Sequence, residues 1–156
     1  MPMSGTPKRT PTRPKLSLAV QYASKSVSKP ARTQLRRWIL AALAGDANIT
    51  LRVVDRDEGR ALNRDFRGED YATNVLTFVY DEANGALVGD MVLCAPVVAS
   101  EAKTQRKVLR DHYAHLVVHG TLHLQGFDHE NDREANMMES REIKILSRMK
   151  ISDPYL

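Results

Sequence analysis

The sequence predicts an α+β domain, a mixed sheet of about four strands packed with about five helices, with a metal site at the end of a C-terminal helix. Three observations lead there. Apolar residues alternate in short runs up to Cys94, and they recur at helical spacing both between those runs and after Pro96. The chain has 156 residues and 42% hydrophobic content, enough to bury one core without staples. Residues 15–156 are therefore expected to form a single domain behind an arm at residues 1–14.

The elements follow in order. Met1 to Pro14 holds four of the seven prolines with Ser, Gly and Thr between them, and reads as a disordered basic arm. Leu16, Leu18, Val20 and Tyr22 alternate with polar or small residues, the period of a half-buried strand. Pro30 can open a helix whose inner face is Leu35, Trp38, Ile39 and Ala42, with Gly45 as its stop. A second strand is expected over Asn48–Asp55, and a short helix over Glu58–Phe66 with Ala61, Leu62 and Phe66 inward. Thr73–Tyr80 and Ala86–Cys94 read as a hairpin around the turn signal Asp81–Gly85. Helices are then expected over Val97–Arg106, Leu109–Gln125 and Glu134–Lys150, with Met137 and Met138 as core residues of the last and a break at Gly126.

Composition narrows the function classes. A single cysteine, Cys94, excludes an internal disulfide framework and a cysteine-only zinc cluster, and is read as a buried small hydrophobe. No apolar run approaches the ~20 residues of a membrane span, and the basic N-terminus lacks the apolar stretch of a secretory signal. A cytoplasmic protein is expected. The net charge of +4 hides an asymmetry: residues 1–45 carry nine basic side chains and no acidic one, leaving 14 basic against 19 acidic, a net of −5, in the remainder. Such a block is the footprint of a polyanionic partner, although a solvated tail has the same composition.

All five histidines lie between His112 and His129. His119 and His123 stand four apart, about 6 Å along one helix face, where two imidazoles can converge on an ion. Gly126 then ends the helix, and a turn can return His129 as a third ligand. Three nitrogens with an open fourth position are the pattern of a catalytic zinc site. His115 is too far along the axis to share that ion with His123, and is either behind the ligands, facing substrate, or packed. Asp128 or Asp132 could orient a ligand imidazole, or simply serve the turn. The spacing matches the metzincin pattern H-E-x-x-H-x-x-G-x-x-H, but Gly120 stands where that motif has its general-base glutamate, which removes most support for peptide hydrolysis.

The segment H-G-T-L-H-L-Q-G-F-D-H (His119 to His129) resembles the signature of the YbeY family of bacterial metal-dependent endoribonucleases and rRNA maturation factors. Three further segments agree: L-N-R-D-F-R-G-E-D-Y-A-T-N-V-L-T-F from Leu62, G-D-M-V-L from Gly89, and the terminal D-P-Y from Asp153. Ala72 and Phe127 depart from residues common in the family, and neither is a ligand. The resemblance implies His119, His123 and His129 as ligands of one Zn2+ per chain and Arg67 as an arginine of RNA cleavage. It also implies single-strand-specific endoribonuclease activity in 16S rRNA 3′ end maturation and ribosome quality control. The implied partners are rRNA and the small ribosomal subunit or its assembly factors, with no DNA and no membrane.

A guanidinium suits Arg67's implied role, because it stays protonated and grips two phosphate oxygens in fixed geometry. By itself Arg67 reads as a surface partner of Glu69 or Asp70. Asn74 could line the groove or cap a turn, and Thr73 is equally open. Two other functions remain alternatives: a non-catalytic, zinc-stabilised ribosome-assembly factor, and a metal-dependent hydrolase of another substrate.

Overall fold

The computed structural model describes residues 13–156, so the expected basic arm lies outside the described residues except for Arg13 and Pro14. Four strands and five helices are present: β1 (Leu16–Ala23), α1 (Arg32–Ala42), β2 (Ala47–Val54), α2 (Arg56–Arg67), β3 (Val75–Ala83), β4 (Ala86–Cys94), α3 (Ala95–Thr104), α4 (Leu109–Leu124) and α5 (Asp132–Arg148). The sheet order is β1-β2-β4-β3. β1 pairs parallel with β2 and β2 with β4, while β3 runs antiparallel to β4. The expected mixed four-stranded α+β architecture is therefore observed.

Alternation along the strands divides the core. Ile49, Leu51 and Val53 of β2, with Met91 and Leu93 of β4, face the helices α1 and α4 in the larger cluster. The opposite side chains Val54, Leu76, Val92 and Cys94 form a smaller cluster with Leu62 of α2. Cys94 is buried as expected. The inner face of α1 is the expected one, with Leu35 and Ile39 fully buried and Trp38 and Ala42 nearly so.

Local boundaries differ for identifiable reasons. Pro30 lies two residues ahead of α1, where its carbonyl accepts the Tyr22 hydroxyl at 2.6 Å, and the helix ends at Ala42 before Gly45. The hairpin turn is the two residues Asn84 and Gly85, both at positive φ (56° and 77°), so β3 continues to Ala83 through a register shift after Tyr80. α3 starts two residues earlier than expected, with Pro96 in its first turn. In α2 the expected inward Phe66 is 67% exposed and meets Phe78 edge-on at 5.5 Å, whereas Asn63 is buried because its side-chain amide donates to the Tyr71 carbonyl at 2.7 Å. Of the two adjacent α5 methionines only Met138 is core; Met137 is exposed.

Candidate metal centre

Helix α4 sets the site. Its apolar residues Leu116, Val117, Leu122 and Leu124 are buried, while His115, His119 and His123 recur every fourth residue along a half-buried stripe. The close approach of α4 to the sheet is made at Gly120, where a Cβ would stand 2.9 Å from the Met91 terminal methyl and 3.3 Å from the Thr77 methyl. Any side chain at the position next to His119 would have to displace the buried Met91, and with glycine there the metzincin-like spacing carries no adjacent base.

The helix stops in a Schellman arrangement. The Phe127 N–H donates to the Leu122 carbonyl and the Gly126 N–H to the His123 carbonyl, with Gly126 at φ 97°. Phe127 then packs against the core and turns the chain back. The Asp128 carboxylate accepts the His129 backbone N–H at 2.8 Å, and Asn131 caps α5 by accepting the Glu134 N–H at 2.9 Å. Asp128 thus serves the turn, and neither it nor Asp132 bonds a ligand imidazole among the described residues.

The result brings three imidazoles together. Ring centroids are 4.6 Å apart for His119 and His123, 5.0 Å for His123 and His129, and 5.8 Å for His119 and His129. One ligand nitrogen from each lies within 4.8 Å of the others, a group able to hold a metal ion. Burial, then the neighbouring charges of His119 and His129, lowers the His123 pKa, which favours the neutral imidazole that ligation requires. The donor set therefore fits a borderline transition metal such as zinc.

Behind these rings lies a residue that sequence reasoning missed. Glu142 of α5 is fully buried. Its Oε1 is 3.1 Å from His119 Nδ1 and 2.9 Å from His115 Nε2, and the Tyr155 hydroxyl donates to the same carboxylate at 3.1 Å. Burial alone would raise the Glu142 pKa, but the hydrogen bonds from His115 and His119 together with the charges of those two rings outweigh it and hold the pKa at about 2. An anionic carboxylate on Nδ1 fixes the His119 ring and leaves Nε2 to face the other two histidines. His115 therefore stands behind the three rings. The available signal was the spacing Met138, Glu142, Ile145, which puts Glu142 on the buried stripe of its helix.

Arg67 has a separate support. It ends α2, is exposed, donates to the Thr77 carbonyl on the edge strand β3, and lies over the Phe78 ring with its guanidinium carbon 5.2 Å from the centroid. The Thr77 methyl in turn faces Gly120 of α4, 3.3 Å from where a Cβ would stand there. The expected pairing with Glu69 or Asp70 is absent among the described residues, because Asp70 is held by Arg60 at 2.8 and 3.0 Å. The Asn74 side chain accepts the Val75 N–H at the head of β3 and donates to Glu101, which also holds the buried His112 at 2.9 Å.

Comparison with known proteins agrees in sequence and in fold. The family model for Endoribonuclease YbeY matches residues 18–150. The Endoribonuclease YbeY of Thiobacillus denitrificans is 56% identical over 143 residues, covering 91% of this chain and 97% of that protein. The Nitrosomonas europaea protein of the same name is 50% identical over 157 residues, covering 100% of this chain and 95% of its own length. The solution structure of TM1509 from Thermotoga maritima shares the fold at 24% identity, with a TM-score of 0.52 over 85% of this chain and 91% of that one. With a match that spans β1 to α5 and includes all three clustered histidines, the chain belongs to the Endoribonuclease YbeY family.

Proposed function

We propose that this protein is a zinc-dependent endoribonuclease that cuts single-stranded RNA in 16S rRNA 3′ end maturation and ribosome quality control. In this reading it works in the cytoplasm, with rRNA and the small ribosomal subunit or its assembly factors as partners. The observation that carries the reading is the convergence of His119, His123 and His129 in front of a buried, anionic Glu142. The name Endoribonuclease YbeY, carried by relatives at 50 to 56% identity, supports RNA as the substrate class.

Zinc bound at the three imidazoles would supply Lewis-acid chemistry, neutralising charge on a phosphoryl oxygen and making water acidic enough to react near neutral pH. The chain's own residues supply the rest. Glu142 keeps the His119 ring in one orientation, and the depressed His123 pKa keeps that ring unprotonated. Arg67, steadied by the Thr77 carbonyl, offers its remaining N–H groups to the oxygens of the scissile phosphate as charge builds there. Gly120 stands where the metzincin pattern has its general-base glutamate, which argues against peptide hydrolysis. Residues 15–156 act as one unit in this reading, and residues 1–14 as a basic arm adding RNA affinity.

The test pairs cleavage of single-stranded and duplex RNA by the zinc-loaded protein with sequencing of 16S rRNA ends in cells lacking it. Cleavage restricted to single strands, with unprocessed 3′ ends accumulating, is expected. Unprocessed ends without any cleavage by the pure protein would favour the non-catalytic assembly factor.

A further inference from the structure

The basic block at the front of the sequence has a counterpart in the fold that the metal site does not use. The segment before β1, the outer face of α1 and the last turn of α5 enclose a groove of about 740 Å3. Arg13, Lys15, Arg36, Arg37 and Arg148 line it, over a floor that includes Leu40 and Met149. No carboxylate lines it among the described residues, although beyond residue 45 the sequence carries a net charge of −5.

The cations there are available. Arg36 donates one N–H to the Leu16 carbonyl at 3.0 Å, which fixes its guanidinium at the rim and leaves its other donors outward. Arg37 and Arg148 are exposed and form no ion pair among the described residues, whereas the α2 arginines Arg60 and Arg64 are paired to Asp70 and Asp65. Asp46, the nearest acidic residue in sequence, accepts the Lys15 backbone N–H at 2.8 Å. Five unneutralised cations around a concave surface attract an extended chain of anions. Residues 1–12 bring Lys8 and Arg9 and no acid, so this chain's own arm lacks the complementary charge to fill the groove.

We propose that this groove binds the phosphodiester backbone of the RNA outside the segment being cut. The proposal rests on RNA being the substrate. Arg148 lies about 9 Å further along the α5 axis than Glu142, so one helix carries both a wall of the groove and the carboxylate behind His119. Backbone binding of this kind gives affinity and salt dependence without sequence preference.

The experiment measures equilibrium binding of the full-length, zinc-loaded protein to a 2′-O-methylated single-stranded RNA of about 30 nucleotides, shown by gel electrophoresis to be intact after each titration, across salt concentrations. The Arg37→Glu/Arg148→Glu double variant is compared with Lys103→Glu/Arg110→Glu, which changes net charge equally at the exposed corner between α3 and α4. The groove variant should bind at least about tenfold more weakly, with a salt slope shallower by about 1.4, or about 0.7 for each phosphate no longer neutralised. An unchanged affinity and slope, or an equal weakening in the corner variant, would overturn the proposal. Binding is read without cleavage, so a protein that binds in this way yet cuts no RNA would refute the nuclease reading and leave the groove standing.

Discussion

Replacing Glu142 by Gln tests the least expected part of the site. The substitution keeps the shape of a fully buried side chain and removes its charge. Three groups point donors at the carboxylate: His115 Nε2 at 2.9 Å, His119 Nδ1 at 3.1 Å and the Tyr155 hydroxyl at 3.1 Å. A carboxylate accepts from all of them. An amide offers one acceptor oxygen and turns an NH2 group toward the rest, so the His119 bond changes from charge-assisted to neutral or disappears. That difference is about 1–2 kcal/mol, roughly a factor of 10 in an equilibrium constant. We therefore expect Glu142→Gln to fold and to bind zinc about 5- to 30-fold more weakly, near the lower end of what removal of the partner behind a metal ligand costs. Competition against a chromophoric chelator at neutral pH measures the affinity, and circular dichroism checks the fold. A folded variant with zinc affinity within about twofold of the unaltered protein would refute the idea that Glu142 orients His119.

Other consequences are smaller or more local. Tyr155→Phe removes one of the donors to Glu142 and should weaken zinc binding by a few fold, less than Glu142→Gln, in the same chelator assay. Arg67→Ala should leave fold and metal content intact, cost at most about 1 kcal/mol of stability, and cut RNA cleavage by roughly 100-fold or more; Arg67→Lys should recover little, because an ammonium lacks the fork. The Ser24 hydroxyl, then the Lys25 backbone N–H, holds the Asp55 pKa below its ordinary 3.8. Its stabilisation is thus complete above that value and is lost as pH falls through the lower folded one. Chemical denaturation from about pH 5 to about pH 2 should therefore show a shallower acid loss for Asp55→Asn than for the unaltered protein.

Much of this molecule was legible in the sequence because its patterns were strong. The alternation in Leu16–Val20 and the stripe Leu35, Trp38, Ile39, Ala42 each admitted one period; β1 buries Leu16 and Val20 with Leu18 partly buried, and α1 buries all four of its stripe. The three histidines were legible because a glycine stop follows two of them at helical spacing. What escaped was decided by tertiary partners. Phe66 matched an inward helical position, yet α2 ends there and the ring rests on Phe78 at the surface. Asn63 is inward because it ties off the Tyr71 carbonyl, a bond between residues eight apart that no period encodes. Glu142 was hidden for a related reason: a glutamate on an amphipathic helix ordinarily faces water, and only donors from α4 and the C-terminal segment offset the cost of burying it. Arg67's reach to the Thr77 carbonyl depends on β3 being an edge strand, which the order β1-β2-β4-β3 establishes and the strand pattern alone does not.

The central claim is that His119, His123 and His129 hold one metal ion on which RNA cleavage depends. The most direct measurement is elemental analysis of the chelator-free purified protein, paired with cleavage of a single-stranded RNA before metal removal, after it, and after zinc is restored. We expect one zinc per chain, activity lost and regained with the metal, and neither metal nor activity in a folded His123→Ala variant. Full cleavage by the folded, metal-free protein, or a bound metal that survives His123→Ala unchanged, would contradict it.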